Sequence, residues 1–185
     1  MIELFQVASS LQSLFRKKAW KFCFIGGVAL QRWGEPRVTQ DIDVTLFTGF
    51  KDDEVYIDEL LKHYPARIDG IRTFAIEQRV LLLKTKTNIG IDISLGGLPF
   101  EEEMIERASD FEFLPGISLC TCSAEDLIVL KAFAAREKDW SDIHTVIVRQ
   151  RAQLDQSYML KKLTPLAELK EEPEILARLK KLLGS

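Results

Sequence analysis

Two consecutive glycines, Gly26 and Gly27, directly follow a short aromatic and apolar run at residues 20–25. An apolar run of this length that stops at glycine is typical of a buried strand followed by a tight turn. Residues 28–33 then have the pattern of a brief helix. A strand, a glycine turn and a helix in this order let the backbone approach an anion closely, with the N–H groups of the helix N-terminus directed toward it. The segment therefore predicts a phosphate-binding turn.

Three carboxylates follow the glycine turn at positions that a sheet can bring together. Asp41 and Asp43 lie in a segment that alternates polar and apolar residues, and residues two apart on a strand project from the same face. Asp92 lies in a later alternating segment, on the face opposite to Ile89, Ile91, Ile93 and Leu95. If the two strands are neighbours in one sheet, the three side chains converge.

A converging set of carboxylates has a chemical consequence. Like charges that lie close together repel one another, so such a cluster persists mainly where a cation neutralises it. Oxygen ligands with no His or Cys nearby favour Mg²⁺ or Mn²⁺ over zinc. Two such ions about 3.5–4 Å apart can activate an attacking oxygen and clamp a phosphoryl group. The carboxylates and the glycine turn together predict metal-dependent phosphate chemistry, and the alternative is a solvated strand face that binds nothing.

The remaining segments predict an α/β (α+β) fold. Strand patterns at 80–84 and 89–95 flank a polar turn and predict a hairpin, and residues 117–122 predict a further short strand. Helical patterns cover residues 3–18, 52–64, where Asp52 or Asp53 is the expected cap, 98–107, and four segments after Ser123, which opens a capping box, at 123–133, 140–151, 155–163 and 174–183. We expect a small mixed β-sheet core with flanking helices over residues 1–118, followed by a C-terminal helical region, residues 119–185, packed on it.

Composition excludes several classes of protein. With a formal net charge of −3 over 185 residues, the chain does not coat nucleic acid through bulk charge. Residues 150–185 carry 7 basic and 5 acidic side chains and are the part expected to meet an RNA backbone. The N-terminus has no signal-like pattern, and no stretch approaches the roughly 20 apolar residues of a membrane span, so we expect no membrane association. Three cysteines without a Cys-x-x-Cys spacing predict a cytoplasmic protein.

The segment from Phe24 to Asp43, with Asp92 downstream, resembles the nucleotidyltransferase superfamily, which has a polymerase β-like fold. Within it, the sequence Arg-Val-Thr-Gln-Asp-Ile-Asp at 37–43 is similar to the version found in the AbiEii-like toxin branch. The chain after Ser123, with Lys131, Arg136, Asp139 and Asp142, is similar to the helical motif of that branch. The resemblance covers about residues 22–148. Gly27 is a departure, because the family commonly has a serine there whose hydroxyl donates to phosphate.

The resemblance implies roles for individual residues. Asp41 and Asp43 would bind both metal ions, and Asp92 would be the third ligand and the base toward the acceptor hydroxyl. The nucleotide and its phosphates would be held by Gly26, Gly27, Arg37, Thr39 and Lys131. Alternatives stay open for the basic residues: Arg37 instead braces the strand with the paired carboxylates, and Lys131 instead lies on a solvated helix face. Arg136 with Asp139 or Asp142 belongs either to the active site or to a structural ion pair, and we favour the structural role for Asp142.

By this likeness the chain is a metal-dependent nucleotidyltransferase that moves a nucleoside monophosphate from an NTP to an acceptor hydroxyl and releases pyrophosphate. Its cofactor would be Mg²⁺ or Mn²⁺ in a two-metal site, and its acceptor an RNA such as a tRNA 3′ end, a protein side chain or a small molecule such as an antibiotic. The alternative is a catalytically silent binding module of the same fold, acting with a cognate antitoxin or another partner. Retention of three mutually repulsive carboxylates argues against it. A third hypothesis is an α/β domain whose acids are merely exposed.

Overall fold

The structure is a computed structural model that describes residues 1–184, with the exception of the Ala152 side chain. The helices are α1 Ile2–Lys17, α2 Gly26–Trp33, α3 Asp53–Leu61, α4 Ile71–Gln78, α5 Pro99–Glu106, α6 Ala124–Ala134, α7 Glu137–Gln150, α8 Gln156–Lys170 and α9 Glu174–Leu183. The strands are β1 Phe22–Phe24, β2 Asp41–Phe47, β3 Val80–Lys84, β4 Gly90–Gly96, β5 Ser109–Leu114 and β6 Ile117–Thr121. This alternation of helices and strands confirms the predicted mixed α/β fold.

The six strands form a single mixed sheet in the order β3-β4-β2-β1-β6-β5. Strand β2 lies between β4, which runs parallel to it, and β1, which runs antiparallel. The predicted hairpin is confirmed, since β3 and β4 pair antiparallel. The strands that carry the three acids are therefore neighbours, as the predicted convergence requires.

The chain forms two compact units. The sheet unit consists of Met1–Val28 and Val38–Cys122, and the helical unit consists of Ala29–Arg37 and the chain from Ser123 onward. The boundary thus falls twice in the segment that links the glycine turn to the paired acids. Among the helices of residues 1–184, none combines the length and the apolar character needed to cross a membrane.

The core of the sheet unit orients the three acids. From β2, the alternate residues Ile42, Val44 and Leu46 are fully buried, and β4 contributes Ile91, Ile93 and Leu95 to the same core. Burying a side chain of this size contributes about 1.5–3 kcal/mol to the stability of the folded state. A slip of one residue would move the whole apolar set to the wrong face, so burial fixes the register of both strands. The intervening polar residues must then share the opposite face.

The helical unit has its own apolar core, built from α6 to α9. Its helices bury Leu127, Ile128, Ile143, Val146, Met159, Leu163 and Leu179. The predicted cap of α6 is confirmed, because the Ser123 hydroxyl accepts a hydrogen bond from the Asp126 amide at 3.1 Å. The Asp126 side chain is buried and accepts a hydrogen bond from the Tyr158 hydroxyl of α8 at 2.7 Å. This polar contact links α6 to α8.

Three local predictions differ from the structure. Neither α4 nor β5 is expected from the sequence: α4 follows Gly70 without a capping side chain, and the first four residues of β5 are exposed, so it shows no burial pattern. Asp52 is the N-cap residue of α3, as predicted, but the expected capping hydrogen bond from a side chain is absent. The Asp53 carboxylate accepts hydrogen bonds from the Thr48 hydroxyl and Arg79 instead.

Candidate active site

The three predicted acids lie on one face of the sheet, at the junction of β2 and β4. In the parallel register of these strands Asp43 is the partner of Asp92, and Asp41 is the partner of Gly90. Paired residues of adjacent strands project side by side, so the side chains of Asp43 and Asp92 leave neighbouring positions on this face. The structure therefore places the three predicted acids on the same face of two adjacent strands.

The Asp43 carboxylate is directed at the glycine turn. Its Oδ2 atom accepts a hydrogen bond from the Gly27 amide at 3.3 Å, and its backbone carbonyl accepts one from the Ile25 amide at 3.0 Å. Gly26 has a φ of +52°, and a Cβ atom at this residue would lie only 2.1 Å from Asp43 Oδ2. Residue 26 must therefore be glycine for two reasons, its left-handed conformation and the carboxylate packed against it.

Thr39 explains the second glycine of the turn. A Cβ atom on Gly27 would lie 2.4 Å from the Thr39 hydroxyl oxygen, which donates a hydrogen bond to the Asp41 carbonyl at 3.2 Å. In this chain the hydroxyl of Thr39, from the loop between α2 and β2, fills the space that a side chain at residue 27 would need. The absence of serine at residue 27 is thus matched by a hydroxyl beside the same turn.

Asp41 and Asp92 share a cationic neighbour that the sequence analysis missed. Arg67 places Nη2 2.8 Å from Asp92 Oδ1 and Nη1 3.9 Å from Asp41 Oδ1. A Cβ atom at Gly90 would lie 2.1 Å from Asp41 Oδ1 and 2.8 Å from Arg67 Nη1. The missing side chain at Gly90 therefore makes room for both groups.

Nothing in the sequence around Arg67 indicates this contact, because it depends on a pairing between distant segments. Gly90 did carry a signal, since a glycine within a strand often marks a close approach of another group. Its position two residues before Asp92 places it on the face of the acids.

The side chains of Asp41, Asp43 and Asp92 offer the type of donor atom that a hard divalent cation prefers. All the donors are carboxylate oxygens, and Asp92 Oδ1 is buried without a hydrogen-bond partner among the described residues, although Arg67 stands beside it. Buried polar atoms normally have a partner, and carboxylate oxygens are preferred ligands of Mg²⁺. In their present orientations, no three acidic, His or Cys side chains of residues 1–184 form a group that could hold a metal ion. Asp43 faces the glycine turn, whereas Asp41 and Asp92 face Arg67.

Arg37 and Lys131, the two basic residues predicted from the family motifs, belong to an ion-pair network around two buried carboxylates of the helical unit. Arg37 donates from Nε and Nη2 to the two oxygens of Asp142, at 3.1 and 3.0 Å. Lys131 donates to Asp142 at 2.6 Å and to Asp139 at 3.3 Å. Arg136 also pairs with Asp139. Two buried carboxylates thus share three cations.

Burial and charge act in opposite directions on these carboxylates. Burial raises the pKa of Asp139, but the hydrogen bond from Arg136 and the charge of Lys131 outweigh it, so the pKa is lowered overall. Burial likewise raises the pKa of Asp142, and hydrogen bonds from Arg37 and Lys131 lower it further than burial raises it. Both groups are therefore ionised well into the acidic range.

The burial of Lys131 excludes one of the two hypotheses for this residue. Only 6% of this residue is exposed, so the hypothesis of a solvated helix face is wrong. Asp142 has the structural role that we favoured, although its partners are Arg37 and Lys131 and not Arg136. Arg136 pairs with Asp139 across a helix turn, which is the structural one of the two alternatives. Contacts of Arg37, Thr39 and Lys131 with nucleotide phosphates stay predictions.

A glycine turn packed against a carboxylate-bearing strand, with a third acid on the adjacent strand of a mixed sheet, defines the class of nucleotidyltransferase-like proteins. Residues 11–164 match the family described as the nucleotidyl transferase AbiEii toxin of type IV toxin–antitoxin systems. The match covers most of the chain, and the protein belongs to this family. No curated protein sequence matches the chain significantly.

Solved structures share the fold at low sequence identity. An antigenic nucleotidyltransferase-like protein from Paracoccidioides brasiliensis is 17% identical, with a TM-score of 0.56 over 97% of this chain and 93% of that one. The antibiotic-resistance factor ANT(2'')-Ia is 13% identical, with a TM-score of 0.55 over 94% and 95% of the two chains. The lincosamide antibiotic adenylyltransferase LnuA, solved with lincomycin bound, is 16% identical, with a TM-score of 0.50 over 74% and 92%. These similarities show the nucleotidyltransferase-like fold.

Proposed function

We propose that this chain transfers a nucleoside monophosphate from an NTP to an acceptor hydroxyl, with release of pyrophosphate, in a reaction that requires Mg²⁺ or Mn²⁺. The observation that carries the proposal is the register of β2 and β4. It sets Asp43 directly beside Asp92 and within hydrogen-bond distance of the glycine turn. Membership of the AbiEii family supports the general reaction.

The three aspartates and the glycine turn would have different roles in the proposed reaction. The acceptor oxygen attacks the α-phosphorus of the NTP, the bond to the pyrophosphate oxygen breaks, and the acceptor proton passes to the Asp92 carboxylate. Asp41, Asp43 and Asp92 would hold the divalent ions, which when bound neutralise charge on the carboxylates and phosphates and polarise the reacting oxygens. The backbone of Gly26 and Gly27 would bind the triphosphate at the N-terminus of α2.

The acceptor is proposed as a class with three members: an RNA end, a protein side chain or a small molecule. LnuA was solved with lincomycin, and ANT(2'')-Ia is an antibiotic-resistance factor, which supports a small molecule. The family description includes a toxin–antitoxin system, which supports a cellular RNA or protein target and a cognate antitoxin. The excess of basic residues after residue 150 favours RNA.

The test is transfer of label from each α-labelled NTP, with Mg²⁺ or Mn²⁺ and cell extract. The wild type is compared with the Asp41→Asn/Asp43→Asn variant and with a matched Asp52→Asn/Asp69→Asn variant, which removes two exposed carboxylates elsewhere in the sheet unit. Label on RNA, protein or an added antibiotic that disappears only in the first variant supports the proposal and identifies the acceptor. Equal labelling by all three proteins would refute the roles of Asp41 and Asp43.

A second candidate function is a silent binding module, and the contact of Arg67 with Asp41 and Asp92 favours it, because a guanidinium can neutralise acids without a metal. Thermal unfolding with Mn²⁺ and NTP separates the two candidates. A ligand present at a hundred times its Kd adds about 2.7 kcal/mol to the free energy of unfolding. A partner-binding module without a nucleotide site would not respond to either ligand.

A further inference from the structure

The position of Arg67 between two predicted metal ligands suggests more than a structural ion pair. Its guanidinium carries the positive charge nearest to Asp92, at 2.8 Å, and it also approaches Asp41. The charge therefore lies on the face where the proposed function requires a divalent cation.

The backbone holds Arg67 at this place. Ala66 forms an antiparallel bridge with Leu83, and the Arg67 amide donates a hydrogen bond to the Leu82 carbonyl at 2.9 Å. Leu82 is in turn the partner of Asp92 in the β3–β4 register. The segment at 65–67 therefore extends the sheet by one short pairing, and the Arg67 side chain reaches across β3 to the acids.

The space for the guanidinium is provided by Gly90. A Cβ atom at this residue would lie 2.8 Å from Arg67 Nη1, so any other residue would push the arginine away from the acids. The backbone pairing and the glycine together make a fitted position for a cationic group.

The contact between Arg67 and Asp92 is of a kind that another cation can replace. Arg67 Nη2 is 2.8 Å from Asp92 Oδ1, but this oxygen accepts no hydrogen bond from any described residue. The Arg37–Asp142 pair differs, because both oxygens of Asp142 accept directed hydrogen bonds from the guanidinium. About a third of the Arg67 and Asp92 side chains is exposed, so the arginine can leave without breaking a packed core.

We propose that Arg67 is an internal competitor of the divalent cation: the guanidinium and the cation bind the same carboxylates, and each excludes the other. The proposal rests on the proposed function, since it assumes that Asp41 and Asp92 are ligands. It makes Arg67 a residue that sets the metal affinity of the site. The active protein would then respond to the concentration of free divalent cation over a range that Arg67 determines.

The test is the affinity for Mn²⁺ alone, measured from the free Mn²⁺ signal by electron paramagnetic resonance. The proteins are the wild type, Arg67→Gln and Arg72→Gln. Arg72 is the matched control, because its removal deletes the same charge from the sheet unit but breaks only an exposed pair with Asp58. We expect Arg67→Gln to bind Mn²⁺ about tenfold more tightly or better, a change of about 1.4 kcal/mol, and Arg72→Gln to match the wild type.

The outcomes separate this inference from the proposed function. Equal Mn²⁺ affinity in the wild type and Arg67→Gln would overturn the competition and leave the proposed metal site intact. Binding by neither protein would overturn both. Tighter binding that persists in Arg67→Gln/Asp92→Asn would place the Mn²⁺ elsewhere and overturn the competition.

A second measurement needs no variant and therefore covers a failure of Arg67→Gln to fold. Titration of the wild type with Mg²⁺ should shift the Nε–Hε nuclear magnetic resonance signal of Arg67 as the guanidinium leaves the acids. The Arg72 signal should stay in place. An Arg67 signal that does not move while Mg²⁺ binds would contradict the exclusion of one cation by the other.

Discussion

The Asp43 carboxylate occupies the space in which a side chain at Gly26 would begin, with Oδ2 2.1 Å from the ideal Cβ position. This contact couples the glycine turn to the paired acids, which lie on different elements. Neither residue can change without affecting the other. The turn and the carboxylates therefore form one structural unit, whatever ligand they bind.

Gly26→Ala should be more destabilising than its backbone conformation alone predicts. A non-glycine residue in the left-handed region costs about 1 kcal/mol, and the collision with Asp43 adds to this cost. Gly70→Ala is the matched control, since Gly70 has a φ of +65° and its Cβ would meet nothing within 4 Å. Urea unfolding should show a larger loss for Gly26→Ala. Equal losses for the two variants would show that the Asp43 carboxylate does not pack against residue 26.

Gly27→Ser should also be destabilising, because its side chain meets the Thr39 hydroxyl. The double variant Gly27→Ser/Thr39→Ala removes the obstacle. We therefore expect the two changes to be coupled, with the double variant more stable than the sum of the single effects by about 0.5–3 kcal/mol. The measurement is a double-mutant cycle by chemical denaturation. Strictly additive effects would contradict the close approach of the two residues.

Lys131→Met should reduce the stability of the protein strongly. It leaves Asp139 and Asp142 buried with one cation fewer, and removing one partner of a buried ion pair costs about 3–5 kcal/mol. Lys138→Met, at an exposed position of α7, should have little effect in the same thermal unfolding experiment. A predominant role of Lys131 at the phosphates makes the opposite prediction: near-normal stability of Lys131→Met with a raised KM for NTP.

The sequence was sufficient to predict that Asp41, Asp43 and Asp92 share one face of the sheet, because two local signals indicate the same arrangement. The alternation along β2 and β4 separates polar from apolar residues, and burial of the apolar set determines which face the acids share. The order of the glycine turn and the acids along the chain then identified the fold. Strand β5 was missed for the converse reason, since its exposed residues follow no burial pattern and only its pairing with β6 makes it a strand.

The partners of the predicted residues could not be predicted in the same way. Arg67 reaches Asp92 because residues 65–67 pair with β3. The pattern of apolar and polar residues around Arg67 does not predict this pairing. For Lys131 the sequence left open a contact with the nucleotide phosphates or a solvated helix face. Neither hypothesis includes its buried partners, which lie eight and eleven residues later on the following helix. Charge pairing between separate elements depends on tertiary packing, so a pattern within one element does not reveal it.

The network around Asp139 and Asp142 gives stability a defined dependence on pH. Both pKa values are lowered in the folded protein, so the unfolded chain takes up protons first as the pH falls below about 3.9, and the stabilisation is lost as the pH drops further through the folded values. Asp142→Asn removes one of these groups. It should lower stability at neutral pH and make the loss of stability below about pH 4 less steep than in the wild type.

Thermal unfolding followed by far-ultraviolet circular dichroism between about pH 2 and 7 measures this dependence. The control is Asp69→Asn, at an exposed position of the sheet unit, which should follow the wild-type profile. Hydrogen bonds from Lys18 and Lys62 lower the pKa of Glu59 to about 2, so this group titrates in the same pH range in all three proteins. Its contribution therefore cancels in the comparison. An Asp142→Asn profile parallel to that of the wild type would show that Asp142 is not held ionised by Arg37 and Lys131.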